Sequence, residues 1–388
     1  MERLRFLTAG ESHGKALVAV LEGLPAGVPV TPDDVDRDLA RRAAGYGRSG
    51  RMAIERDRVE ILSGIRHQRT IGSPVALLVR NLDYPNWEAA MAPEAPAGEF
   101  ARKVVPYPGH ADLAGALKYG FADDLRSVTE RASARETAAR VAAGALARRL
   151  LAELGIAVHS HVVAIGGERV GRTRPAGAGF FERADASDVR CASPAAARRF
   201  RGAIERARRR GDSVGGVFEV LAFGLPPGLG SHVHWERKLS TRLAAALMSI
   251  NAIKGVEIGD GFAAAGLPGR KAQDALARDA GGAIRRRTNH AGGVEGGMTN
   301  GEPLVLRAAM KPISSAVARV ASVDLARGAG VRTVAGRSDV CAVPSASVVG
   351  EAMTCLVLAD AVLEKFGGDS VGETRRNRDA YLASIGRG

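Results

Sequence analysis

Two histidines lie in short glycine-bearing segments far apart in the chain, Gly10-Glu11-Ser12-His13-Gly14 and Pro108-Gly109-His110-Ala111-Asp112. Imidazole titrates near neutral pH, so each ring can give or take a proton under ordinary conditions. Glycine lets the backbone turn sharply and lets a ligand approach it closely. The pair therefore suggests two proton-handling groups that the fold must bring together. Asp112 is a candidate for orienting the His110 ring, although i+2 neighbours often point apart. His159/His161 and His232/His234 each place two rings on one strand face. No third ligand stands at a useful spacing, so no metal site is expected.

A second set of residues suits anions. Arg41, Arg42, Arg48 and Arg51 are spread among Gly45, Gly47 and Gly50, where a plain solvated helix face would not need three glycines. Guanidinium forks match carboxylate and phosphate oxygens through charge-assisted bonds. Arg131, Ser133 and Arg135 cluster at an expected helix start, a ready anion site. Asn251, the glycine-rich stretch 291–301 and Lys311-Pro312-Ile313-Ser314-Ser315 are weaker candidates. In Arg337-Ser338-Asp339 the aspartate reads as a base or as a salt-bridge partner. The formal net charge of +13 agrees with an anionic partner. Aromatic residues make up only 4%, too few to interleave with basic ones as base-stacking platforms. The basic run Arg198 to Arg210 reads as an exposed helix face. There is no GxxxxGK[ST] and no GxGxxG after a strand, so nucleotide-triphosphate and dinucleotide readings lack their fingerprints.

These groups need a scaffold. Strand-like runs fall at Leu4–Thr8, Leu17–Leu21, Val59–Leu62, Val75–Arg80, Val162–Ile165, Val217–Ala222 and Leu304–Ala308. A first helix opens at Thr31 with Pro32 in its first turn and ends near Gly45. A second starts at Ser133, with Glu136 at capping-box spacing, and stops at Gly155. A third carries Leu239, Leu243, Ala246, Leu247 and Ile250. A fourth, Ala346 to Phe366, is apolar on nearly every face and should be central. The mixture lacks the regular alternation of a doubly wound sheet, and no repeat or linker divides it. The expectation is one α+β domain over residues 1–388. Three cysteines without a CxxC, no signal pattern and no uncharged apolar run of ~20 residues point to the reducing cytoplasm and to no membrane partner.

The chain resembles the chorismate synthase family over nearly its whole length. The resemblance rests on GESHG at 10–14, ARRAAGYGRSGRM at 40–52, PGHAD at 108–112, LKYG at 117–120 and ERASARETAARVAAGA at 130–145. It continues in NAIKGVEIGDGF at 251–262, GGVEGGMTNG at 292–301, MKPIS at 310–314 and RSDVCAVP at 337–344. It implies long helices sandwiched between antiparallel β-sheets, in a homotetramer. It also implies a lyase that uses reduced FMN to turn 5-enolpyruvylshikimate 3-phosphate into chorismate and phosphate, a 1,4-trans elimination without net redox change. NADPH is a candidate reductant of the flavin, and nucleic acid is not an implied partner.

By motif, His110 is implied as the acid assisting phosphate departure. His13 is implied as the group that protonates flavin N1, and Asp339 as the base that works with flavin N5 on the substrate's C6 proton. Substrate anions fall to Ser12, Arg42, Arg48, Arg51 and Arg135. FMN falls to Arg131, Ala132, Ser133, Asn251, Ala252, Gly296 and Lys311, Pro312, Ile313, Ser314 and Ser315. Arg337 belongs with either ligand. A basic nucleic-acid-binding protein and a flavin-binding module without lyase activity are the competing readings. Steep salt dependence of DNA binding would mark the first, and lack of turnover the second.

One departure from the family pattern stands directly before PGHAD. Many members have arginine there, and this chain has Tyr107, which cannot form a bidentate ion pair. Unless Arg102 or Lys103 compensates, the Michaelis constant for substrate should be higher than that of a Tyr107→Arg variant. Steady-state kinetics giving equal constants for the two proteins would rule this out.

Overall fold

Short, largely apolar strands build two antiparallel sheets, and burial alternates along several of them. The computed structural model describes residues 3–48, 56–94, 100–171, 177–282, 284–314, 319–334 and 339–386. In the first sheet, β1 (Arg5–Ala9), β2 (Ala16–Glu22), β3 (Val59–Ile61) and β4 (Val75–Arg80) lie in the order β1-β2-β4-β3. Leu17, Ala19 and Leu21 on β2 and Val75, Leu77 and Val79 on β4 are buried, the period-two face a half-covered sheet requires. The second sheet holds β5 (Ala157–Ile165), β6 (Glu168–Arg169), β7 (Gly216–Phe223), β8 (Ile253–Ile258) and β9 (Leu304–Met310). Their order is β8-β9-β7-β5-β6. Leu304, Leu306, Ala308 and Met310 give β9 the same alternation.

Helices pack between and around the sheets, among them α1 (Pro32–Ala43), α2 (Asp112–Tyr119), α3 (Arg126–Ala132), α4 (Thr137–Glu153), α5 (Pro194–Arg209), α6 (Leu239–Met248) and α7 (Val343–Phe366). α4 packs on the first sheet and α7 on the second, and the two helices pack on each other. This is the α+β sandwich that the resemblance implies. α7 is long and apolar enough to cross a membrane, but 94% of its apolar window is buried inside the protein. Packing on both sides explains why it is apolar nearly all round.

Local chemistry sets the helix ends. Thr31 accepts from the Asp34 N–H at 3.3 Å and Asp34 accepts from the Thr31 N–H at 3.0 Å, a closed capping box at the start of α1. The expected box at Ser133 does not form. Ser133 caps a 3-10 turn over Ala134–Glu136, and α4 begins only at Thr137. Glu136 instead accepts from Arg140 one turn on at 3.0 Å, a charge-assisted partner stronger than a backbone N–H. In α5, Phe200, Ala203, Ile204 and Ala207 face inward, while Arg201 pairs with Asp188 and Arg206 with Glu168. The basic run is thus the solvated face of an amphipathic helix.

The two expected histidine pairs differ. His159 and His161 do share a face of β5, where they pack on Phe181 and Phe180, and His161 Nε2 meets Glu219 at 3.0 Å. His232 and His234 do not lie on a strand. The Val233 N–H donates to Ser231 Oγ, and the chain bends through them into a short turn.

Helices α4 and α7 pack tightly at Gly144. A Cβ there would stand 2.4 Å from Ala352 Cβ and 2.6 Å from its Cα. Alanine favours an exposed helix over glycine by about 1 kcal/mol, whereas overpacking costs ~1–3 kcal/mol. Gly144→Ala should therefore lower stability in urea unfolding, with the clash outweighing the propensity. A more stable variant would show that the interface relaxes.

Candidate active site

The first histidine loop turns between β1 and β2. Gly10 sits at φ +101°, and a Cβ there would come within 2.2 Å of the Ala16 carbonyl oxygen, so the turn requires glycine. Asn81, just past β4, donates through Nδ2 to the carbonyls of Glu11 at 3.0 Å and Gly14 at 2.7 Å. The His13 Nδ1 lies 2.8 Å from Glu130 Oε2, and the ring stacks on Trp87 with centroids 4.0 Å apart.

The second loop leads into α2. Gly109, at φ +83°, lies close to the chain from Lys311, whose Nζ donates to the Gly109 carbonyl at 2.6 Å. Asp112 is the first residue of α2 and is fully buried, so its carboxylate turns back toward the loop. His110 Nδ1 makes a short contact with Asp112 Oδ1. The same carboxylate accepts from Thr129 Oγ1 at 3.0 Å, from Lys103 Nζ at 3.3 Å and from the Tyr107 N–H at 3.1 Å. Burial alone would raise the Asp112 carboxyl. The His110 hydrogen bond and charge, Lys103 and the Tyr107 N–H together outweigh it and pull it down to about 2. An ionised Asp112 only accepts, so it fixes the proton on Nδ1 and leaves Nε2 for chemistry.

His110 opens onto a cavity of about 480 Å³, within the ~300–1,000 Å³ typical of small-molecule sites. Arg42, Arg48 and Arg135 line it, and so do Lys311 and Asp339. Arg42 donates to Thr137 Oγ1 at 2.9 Å and to the Ala134 carbonyl at 3.0 Å. Buried Asp57 lies between Arg135 Nη1, at 2.6 Å, and Arg42 Nη1, at 3.5 Å. Arg48 Nη1 donates to Asp339 Oδ2 at 2.6 Å. Burial lowers the Arg42 guanidinium from its ordinary value; Asp57 opposes this, and the charges of Arg48 and Arg135 add to it. A guanidinium does not give up its proton, so among the described residues the cations Arg42, Arg48, Arg135 and Lys311 outnumber the carboxylates Asp57 and Asp339, a balance that suits an anion. Among the described residues, buried Arg48 Nε and Asn251 Oδ1 have no hydrogen-bond partner, an unusual state that a polar ligand would relieve. Ala252, also at the wall, holds φ +65°, a left-handed conformation that costs a non-glycine residue roughly 1–2 kcal/mol. Its carbonyl accepts from the Lys311 N–H at 2.9 Å, which ties the two wall segments together.

Most expected site residues share this cavity. His110, Asp339, Arg42, Arg48 and Arg135 line it. Ala132, Ser133, Asn251 and Ala252 form one side, with Lys311, Ile313 and Ser314 beside the Gly109 turn. Others stand outside the lining. His13 is not a lining residue, and its neighbour Ser12 meets the wall by accepting from Ser133 Oγ at 3.2 Å. Arg131 donates to the Gly10 and Thr8 carbonyls, both at 2.9 Å, and so braces the first loop. Pro312 is not in the wall, and Gly296 turns a separate hairpin between Val294 and Thr299. Arg51, Ser315 and Arg337 lie outside the described residues. Neither candidate for compensating Tyr107 lines the cavity: Arg102 pairs with Asp123 at the surface, and Lys103 serves Asp112 and Thr129. Asp57, Glu130, Asn81 and Thr137 were not singled out by the sequence. Thr137 and Glu130 do fall within the 130–145 motif, the only signal that pointed near them.

Among the described residues, no cluster of His, Cys, Asp or Glu could hold a metal ion. Fold and site together define a helix-filled β sandwich with a cationic, proton-handling pocket. The chorismate synthase family model matches residues 4–363. A chorismate synthase from Symbiobacterium thermophilum is 57% identical, over 99% of this chain and 100% of its own length. One from Streptomyces avermitilis is 55% identical, over 99% of each. A solved structure titled "Crystal Structure of Chorismate Synthase" superposes with a TM-score of 0.78, at 42% identity and covering 98% of each chain. The chain belongs to the chorismate synthase family, and it is a lyase.

The lowered Asp112 has a consequence for acid stability. The folded state resists protonation there more than the unfolded chain does, so it binds fewer protons. The stability contributed by Asp112 is therefore complete above about pH 4 and drains away as pH falls toward about 2. Denaturant titrations across that window should show a shallower acid dependence in Asp112→Asn than in the wild type. Parallel curves would remove Asp112 from the acid response.

Proposed function

We propose that the chain converts 5-enolpyruvylshikimate 3-phosphate to chorismate and inorganic phosphate, with reduced FMN bound in the 480 Å³ cavity. The observation that carries this reading is the cavity itself: an Asp112-backed imidazole and Asp339 in one pocket with Arg42, Arg48, Arg135 and Lys311. A substrate with one phosphate and two carboxylates answers that charge. The unpartnered Asn251 Oδ1 and Arg48 Nε suit the polar edges of a flavin and its neighbouring substrate, with Ala132, Ser133, Ala252, Ile313 and Ser314 as further holding residues. When bound, reduced FMN supplies transient electron donation as phosphate leaves, with no net redox change.

The chain's own groups manage charge and protons. His110, held at Nδ1 by Asp112, presents Nε2 to protonate the departing phosphate oxygen. Arg42, Arg48 and Arg135 hold the anions. Asp339, steadied by Arg48, receives the proton lost from substrate C6. His13, whose neighbour Ser12 accepts from Ser133 of the wall, keeps the flavin protonated at N1.

Assembly and setting are part of the proposal. The outer face of the second sheet bears a trough of about 1350 Å³ whose rim includes Val217, Val256, Val305 and Phe262, the last 81% exposed. That face supports self-association into a homotetramer. The three cysteines are free and buried, which suits a reducing cytoplasm.

Anaerobic phosphate release with dithionite-reduced FMN tests the reaction, with oxidised FMN as control and NADPH replacing dithionite to test that reductant. Turnover is expected only with reduced flavin. His110→Ala should lose about 10²–10⁴-fold in kcat while keeping its affinity for FMN. A nearly fully active variant would take His110 out of the mechanism.

A further inference from the structure

Four consecutive residues of α3 each brace a different part of the site. Thr129 Oγ1 donates to Asp112 behind His110, Arg131 donates to the Gly10 and Thr8 carbonyls, and the Ala132 carbonyl accepts from Asn251 Nδ2 at 3.0 Å. Between them, Glu130 takes hold of the other histidine. Its carbonyl accepts from the Ser12 N–H at 3.1 Å. Its Oε2 accepts from the His13 N–H at 2.9 Å, and both carboxylate oxygens converge on His13 Nδ1, at 2.8 and 3.0 Å. Glu130 is only 6% exposed.

We propose that Glu130 is a positioning residue that fixes the His13 tautomer, with the proton on Nδ1 and Nε2 as the one ring atom that exchanges protons. A carboxylate has acceptors and no donor, so two oxygens aimed at Nδ1 require N–H there. Among the described residues Nε2 has no hydrogen-bond partner. Trp87 covers one face of the ring, at 28° to its plane, so edge and face are both held. A carboxylate that only tethered the loop would need the backbone N–H bond alone; the second oxygen on Nδ1 is what assigns the further role. The two histidines of the chain's site are then equivalent in design. Each has Nδ1 turned to a buried carboxylate, and adjacent residues of α3 support the two pairs.

The inference deepens the reading of His13 as a proton-holding group, and its first test does not depend on activity. Because Oε2 serves both the His13 N–H and Nδ1, the informative variant is Glu130→Leu, which leaves Nδ1 no carboxylate acceptor. Magic-angle-spinning NMR of 15N-histidine-labelled, sedimented protein reads the two tautomers directly, with His13→Asn assigning the signal. Neutral His13 in the wild type should be Nδ1–H, and in Glu130→Leu it should become Nε2–H. Glu130→Asp, which retains the carboxylate, should keep Nδ1–H. The same tautomer in wild type and Glu130→Leu overturns the proposal. If Glu130→Leu does not fold by circular dichroism, the wild-type spectrum decides, because an Nε2–H ring there overturns it equally. In turnover with reduced FMN, a wrong tautomer should cost about 10²-fold or more in kcat, with the substrate KM little changed. Failure of the wild type to release phosphate would instead defeat the proposed reaction and leave the NMR result standing.

Discussion

A single buried carboxylate ties the layers of this protein together. Glu351 lies in the middle of α7 with no solvent exposure. Its oxygens accept from Arg41 of α1 at 2.8 and 2.9 Å, from Arg148 of α4, from Arg190 at 3.1 Å and from Ser160 of β5 at 2.7 Å. Burial alone would raise its carboxyl, but Arg41, Arg148 and Arg190 outweigh it and hold it far below the usual carboxylate range. Burying such a cluster gains little net energy over apolar packing, and removing one partner costs ~3–5 kcal/mol. Its effect is therefore geometric: α1, α4, β5 and α7 can meet in one arrangement. Arg41 is also the neighbour of Arg42. The last turn of α1 sends one guanidinium to the core carboxylate and the next to the cavity wall, so the position of the anion site follows from the core cluster.

The cavity inherits both its charge and its rigidity from partners outside it. Asp57 holds Arg42 and Arg135 apart at a set spacing, Asn81 accepts from Arg135 Nε at 2.9 Å, and Ser345 Oγ donates to the Arg42 carbonyl at 2.6 Å. Charge-assisted bonds of this kind fix direction as well as distance. Cations held in this way cannot fold over onto one another's carboxylates when no ligand is bound. The wall therefore keeps a positive surplus that an anion meets without rearrangement, the arrangement that makes electrostatic stabilisation effective.

The sequence was most legible where a local rule decided the outcome. Thr31-Pro32-Asp33-Asp34 is a helix start by its own chemistry, and short apolar runs placed β2, β4 and β9. Ser133 misled because Glu136 found a better partner in Arg140 than the backbone could offer. Asp112 was undervalued by the i+2 argument, which holds along a strand. His110 instead lies in a turn and Asp112 opens a helix, so the chain curls and the two side chains meet. Glu351 was invisible inside an apolar run, since its three arginines come from residues 41, 148 and 190. Asp57 and Glu130 have no local pattern either. Only the fold brings a lone charged residue to its partner, and no periodicity encodes that meeting.

Tyr107 shows how a departure from the family pattern is absorbed. The phenol does not line the cavity. Its N–H donates to Asp112, its hydroxyl donates to the Val334 carbonyl at 3.2 Å, and the Lys103 ammonium sits 4.6 Å from its ring centroid. Tyr107 thus links the histidine turn to the segment that runs toward Asp339. An arginine at this position would bring a further cation near a wall where, among the described residues, Arg42, Arg48, Arg135 and Lys311 already stand with Asp57 and Asp339. Each further cation is more costly to keep charged in a buried site, as the lowered Arg42 illustrates. The exchange of a charge for a strut therefore bears on how tightly an anion is held, while the His110–Asp112 pair that handles the proton keeps its geometry.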